Sequence, residues 1–178
     1  MFDPLTHCWS KITILNSDEK FDRNHFGSVK VENKIYICGG TTYGKDSVTK
    51  LSVLKFIEIQ IDTVMCVGTV TNINLEMKEE FDDSISSFGF TNLDKNTFII
   101  SGGNNKSGRN PHVILIDITS KQYKLLKPDN GMEERVTIFG ASAFTINKEK
   151  PAVFILGGSL STPGSSIGRQ IIEFSEGP

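Results

Sequence analysis

Phe26-Gly27-Ser-Val-Lys-Val-Glu32-Asn33-Lys34-Ile35-Tyr-Ile-Cys38-Gly39-Gly40 is the stretch on which the fold turns. It opens with Phe-Gly, runs through a short strand to a tight turn at Glu32-Asn33-Lys34, and continues as Ile35-Tyr-Ile-Cys38. Branched and aromatic residues of this kind suit a pleated surface, and the turn closes a hairpin. The second strand then stops at a double glycine. The pattern returns as Phe88-Gly89, Phe98-Ile-Ile-Ser101 and Gly102-Gly103, and again as Phe139-Gly140, Val153-Phe-Ile-Leu156 and Gly157-Gly158. The linking turns lengthen from Leu93-Asp-Lys-Asn96 to Asn147-Lys-Glu-Lys-Pro151, where Pro151 fits only at the start of a strand. Three hairpins on one frame, each ending in Gly-Gly, mark a repeat.

Further strands follow from the same window. After Gly102-Gly103 come a polar loop, His112-Val-Ile-Leu-Ile-Asp-Ile118, a turn at Thr119-Ser120, and Gln122-Tyr-Lys-Leu-Leu126. The beginning of the chain, Phe2-Asp-Pro-Leu-Thr-His-Cys-Trp9-Ser-Lys-Ile12, copies this third-to-fourth junction, because Asp3 to Trp9 and Asp117 to Tyr123 are both six residues apart. In the first repeat the matching stretch is Val53–Ile61 followed by Val64–Val70, where the closing aromatic is missing near position 68. Gln170–Phe174 is the third strand of the last repeat. Residues 1–15, with the strand itself over 8–15, are expected to supply a lone outer strand of a shared unit, and repeats fall near 22–75, 84–130 and 135–178. Helical periodicity is absent, so the expectation is an all-β chain of antiparallel four-stranded units, about three of them, with the Gly-Gly strands innermost.

Composition narrows the functional classes. In 178 residues, Lys+Arg 19 against Asp+Glu 21 gives a formal net charge of -2, which excludes a polybasic nucleic-acid or membrane binder. At 38% hydrophobic and 22% charged, the chain has the make-up of an ordinary folded domain. The longest apolar runs, such as Ala152–Leu156, fall far short of the roughly 20 residues that span a bilayer. The opening Met1–Cys8 lacks a basic end followed by an apolar run, so the expectation is a soluble cytoplasmic protein with no membrane partner. Cys8, Cys38 and Cys66 form no CxxC pair, and Cys38 and Cys66 are expected as small buried apolar side chains.

Phe-Gly, an apolar strand, Gly-Gly, then Asp-x5-aromatic resembles the kelch repeat, across essentially the whole chain. The resemblance implies a kelch-type β-propeller, here partial. Tyr123 stands where the kelch pattern usually has tryptophan, and the first repeat lacks its aromatic. Within that class, Ser101-Gly-Gly-Asn-Asn-Lys-Ser-Gly108 and Phe154-Ile-Leu-Gly-Gly-Ser159, with the tail Thr162–Gly168, are most similar to the C-terminal kelch region of the tRNA wybutosine-synthesizing leucine carboxyl methyltransferase family. The methyltransferase domain of that family binds S-adenosylmethionine. Its glycine loop would follow a parallel strand and open a helix, whereas every glycine pair here ends a strand, so no cofactor is expected.

Other chemistry lacks a constellation. His7, His25 and His112 lie far apart. Gly140-Ala-Ser142-Ala-Phe144 misses the second glycine of a nucleophile elbow, and Gly158–Gly164 has no following Lys-Ser/Thr to hold phosphate. Tyr36 and Tyr123 have no paired histidines, so neither a catalytic nor a metal site is expected. Glu76, Glu79, Glu80, Asp82 and Asp83 crowd the link before the second hairpin, and are expected as a solvated connection. Positions 104–128 carry a basic excess, with Lys121 and Lys124 placed to guard a sheet edge. Asn105-Lys-Ser107 is a glycosylation sequon on paper.

The expected function is therefore a non-catalytic scaffold that binds a protein partner through the loops after each Gly-Gly, since loops on a rigid frame carry recognition. The candidate contacts are Tyr43 and Lys45, then Asn104, Asn105, Lys106 and Arg109, then Ser161 and Thr162. The alternative is an accessory kelch region of a tRNA-modifying enzyme, with the basic residues meeting phosphates. Three units are too few to close a propeller ring, so a longer parent chain or a homodimer is expected to complete it.

Overall fold

The computed structural model describes residues 2–3, 5–15, 21–44, 47–76, 80–126, 139–146, 152–159 and 169–173. These form strands, turns and irregular connections, with no helix among them. Among the described residues, three sheets of three or more strands follow one another along the chain, beside three two-stranded pairs. In the first, the order is Thr13–Leu15, Val67–Asn74, Lys55–Asp62, Lys34–Cys38 and Gly27–Val31. In the second, Gly89–Asn92, Thr97–Ser101, Val113–Asp117 and Gln122–Leu126 form an antiparallel meander. The third places Phe139–Ile146, Ala152–Ser159 and Arg169–Glu173 in the same order. Among the described residues every strand pairing is antiparallel except that of Thr13–Leu15 with Val67–Thr69, and none of the sheets closes on itself.

Three expectations are corrected here. The Phe-Gly strand, not the Gly-Gly strand, is the edge strand at which sheets meet: a Cβ on Gly27 would strike Phe88 and Phe90, while Thr145 Oγ1 donates to Asn92 O at 2.6 Å. The Gly-Gly strand lies second in each sheet. The third double glycine does not end its strand, for Ala152–Ser159 runs through it, with Ala141 opposite Gly157. Residues 8–15 are not one lone outer strand: Cys8–Trp9 pair with Phe2–Asp3, and Thr13–Leu15 join the first sheet of the same chain. The cause is a long-range contact: Gly68 leaves a gap over the first sheet that Ile12 and Ile14 enter.

Between the first two sheets sits the main core. Phe98 is fully buried, its ring stacked on Phe90 with centroids 5.7 Å apart and tilted against Tyr36 at 4.8 Å and Phe56 at 5.7 Å. Ile100, Ile114 and Ile116 share that face, whereas Ile99 and Val113 turn to the opposite side and meet Val153 of the third sheet. The second sheet is covered on both faces, which is why Phe98-Ile-Ile100 reads as a continuous apolar run instead of an alternation.

At the first two Gly-Gly steps the backbone is left-handed: φ is 59° and 92° at Gly39 and Gly40, and 69° and 88° at Gly102 and Gly103. A Cβ at Gly40 would lie 2.7 Å from Asn24 O, and one at Gly103 2.7 Å from Ser86 O. The same contacts are built twice, because Asn24 bridges to Thr41 as Ser86 does to Asn104. Both glycine freedom and close backbone approach are therefore required there.

The junction between third and fourth strands is also repeated. Asp62 faces Val67, Asp117 faces Gln122, and Asp3 faces Cys8. In each, the residue before the returning strand has positive φ: 53° at Cys66, 55° at Lys121 and 54° at His7. Asp62 Oδ1 accepts from the Val64 and Met65 amides, both at 2.9 Å. Asp117 accepts from Thr119 N at 2.8 Å and from Ser120 Oγ at 2.8 Å. Side chains that bond their own backbone two residues on are what make Asp a turn residue.

These turns carry an acid dependence. The Ser120 hydroxyl and the Thr119 amide lower the Asp117 carboxyl below its ordinary range, against a small opposing effect of burial. At Asp94, burial and the nearby Asp117 push upward, but bonds from the Asn96 amide and from Thr97 lower it on balance. A depressed folded-state pKa contributes stability that is present above the unfolded value and lost as pH falls through the folded one. Urea unfolding at pH 6 and pH 3 should show this loss, and Asp117→Asn should flatten it. An unchanged pH dependence in that variant would contradict the assignment.

Candidate functional site

Two hairpins stand on one end of the first two sheets, each directly after a Gly-Gly step: Thr41–Tyr43 with Val48–Lys50, and Asn104–Asn105 with Gly108–Arg109. Each is tied at its base in the same way. Leu51 N donates to Gly40 O at 2.8 Å, and Asn110 N donates to Gly103 O at 2.9 Å. The second base is further braced by Asn110, which is fully buried, donates through Nδ2 to Gly102 O and His112 O, and accepts from His112 N. The hairpins also touch each other: Lys50 Nζ donates to Asn105 O at 2.5 Å.

The candidate residues divide by what this construction leaves outside. Tyr43 is 53% exposed and faces Val48, itself 58% exposed, across the first hairpin. Lys106 is exposed at the second tip, and Arg109 is half-buried opposite Asn104. Asn105 is turned inward at 7% exposure. Its Oδ1 accepts from Ser107 N at 3.1 Å, so it builds the hairpin instead of displaying a side chain, and the sequon around it is sterically closed in the folded protein. Asn104 bonds through its backbone to Ser86. Lys45, Ser161 and Thr162 lie outside the described residues.

The acidic link is not simply solvated. Asp82 Oδ2 accepts from Lys106 N at 2.6 Å, Asp83 accepts from the Ser52 hydroxyl, and Asp83 O accepts from Val53 N. The link is thus stitched through Asp82 to the tip of the second hairpin, and through Asp83 to Ser52 and Val53 just beyond the base of the first. Asp82 places negative charge under the basic tip. This role is not legible in the run of acids as a single feature; the Asp82-Asp83-Ser84 order, a turn-forming pair, is the signal the sequence offers.

No family model matches this chain, and no curated protein matches it significantly.

The remaining polar groups have structural surroundings. Cys38 is fully buried, and burial pushes its thiol far up despite an opposing effect of Arg23. Cys66, expected inside a strand, instead occupies a half-buried turn position. Burial and a hydrogen bond with Glu58 raise the Tyr36 phenol, and Glu58 also pairs with Lys34 at 3.0 Å. Among the described residues no group of three His, Cys, Asp or Glu side chains is placed to hold a metal ion, and no helix is long and apolar enough to cross a membrane. Lys124 is exposed on the outer strand Gln122–Leu126, where a charge opposes further strand pairing.

Proposed function

We propose that the chain is a kelch-type segment of a β-propeller that acts as a non-catalytic scaffold and binds a protein partner through its loop end. The observation that carries this reading is the pair of hairpins rooted in identical Gly-Gly steps and presenting Tyr43, Val48 and Lys106 outward. An exposed tyrosine is among the residue types that anchor interfaces. The placement of Asp82 under the second tip favours a protein over a tRNA phosphate backbone, because a neighbouring carboxylate opposes phosphate contact. In a complete ring, further sheets come from a longer parent chain or a second copy.

Capture from the source cell with immobilised wild-type chain, beside a Tyr43→Ala/Lys106→Ala double variant, tests the reading. Both side chains are exposed at hairpins, so folding is retained, and proteins recovered by the wild type should be depleted at least roughly tenfold with the variant. Equal recovery by both would reject the loop-end site. Recovery dominated by RNA, and lost steeply between low and moderate salt, would favour the tRNA-associated role.

A further inference from the structure

The outer edge of the first sheet differs from that of the second at one residue. Six positions after the turn aspartate, the second sheet has Tyr123, whose ring packs on Phe81 with centroids 5.3 Å apart. The first sheet has Gly68 at that place. The gap left by the missing side chain is occupied from outside: a Cβ on Gly68 would meet Ile14 Cδ1 at 2.9 Å, Ile59 Cγ2 at 3.1 Å and Ile12 Cγ2 at 3.5 Å. Ile12 and Ile14 are alternate residues of one extended segment, so both side chains reach the same face.

That segment is held lightly. It pairs in parallel through three residues, Thr13 to Val67, Ile14 to Gly68 and Leu15 to Thr69, with one further bond from Thr13 N to Cys66 O at 3.0 Å. All three residues are exposed, Leu15 at 42%. Val70–Asn74, the rest of the outer strand, has no strand partner on this side among the described residues. A backbone edge beside a side-chain gap is what an extended ligand uses when it adds to a sheet: main-chain bonds hold it and alternate side chains select it.

We propose that this edge is a β-addition site for an extended partner segment carrying branched apolar residues at two alternate positions, and that residues 12–15 keep it closed in cis. The inference is independent of the loop-end reading. Because the resident strand is an intramolecular competitor, the site opens to an outside segment only when that strand is loosened.

The probe is a fluorescein-labelled peptide with the sequence of residues 10–16, followed by anisotropy against the full-length chain and full-length Ile14→Ser. A second variant, Thr13→Pro, removes the amide that bonds Cys66 O. Both loosened variants should bind the peptide at least roughly tenfold more tightly than wild type. An unlabelled peptide with both isoleucines replaced by serine should compete at least roughly tenfold less well than the parent peptide. Absence of saturable binding to both variants overturns the proposal, as does equal competition by the serine peptide. Doubling of the molar mass of both variants in light scattering, with the edge closed to peptide, would assign it to a second copy and overturn it too.

Discussion

Gly103→Ala is expected to destabilise the fold by about 2–5 kcal/mol, the sum of left-handed strain on a non-glycine residue and a forced contact with backbone. The neighbour is Ser86 O at 2.7 Å, which is itself bonded to Asn104 N and cannot retreat without breaking that bond. Gly102→Val, at φ 69°, should also lose more than about 1 kcal/mol. Gly108→Ala is the internal control, since φ is 125° there but nothing lies within 4 Å of the added carbon. It should lose only the backbone part. Denaturant melts of the three variants beside wild type test the ordering, and a Gly103→Ala midpoint equal to wild type would refute the account of the Gly-Gly step.

Phe98→Ala should cost about 3–5 kcal/mol, the range for removing a fully buried aromatic ring. Its ring touches Phe90 of its own sheet, and Tyr36 and Phe56 of the first. The loss therefore weakens both the second sheet and its packing on the first. Phe98→Leu, which refills part of the volume, should lose distinctly less. A Phe98→Ala loss below about 1 kcal/mol would mean that the two sheets do not share this core.

Much of the fold was legible because local rules and tertiary packing agree. Tight turns, Phe-Gly openings and Asp-led junctions are decided within a few residues, and all three place strands correctly over 27–38 and 113–126. The turn at Asp3 was readable for the same reason. What sequence could not supply were relations between strands. Nothing local distinguishes a Gly-Gly that breaks a strand from one that a strand runs through, so the third step was misjudged. Nothing local says that Ile12 and Ile14 answer the glycine at 68, since that contact joins residues more than fifty positions apart. At the candidate site the exposed Tyr43 and Lys106 were visible from loop position alone. The inward turn of Asn105 and the service of Asp82 and Asp83 depend on hydrogen bonds across the link.

The way the two hairpins are rooted also bears on how such a chain accepts change. One departs after Gly40 and returns at Leu51, the other departs after Gly103 and returns at Asn110, yet both are closed by the same amide-to-carbonyl bond across the base. What is held constant is the doorway, and the length beyond it is free. The entropic cost of a longer excursion grows only logarithmically once its ends are clamped. Residues inserted at the tip of the first hairpin are thus insulated from the sheets beneath, so binding specificity can be rewritten there by insertion and deletion while the frame drifts at its own, slower pace. The second tip, tied to Asp82, has less of this freedom.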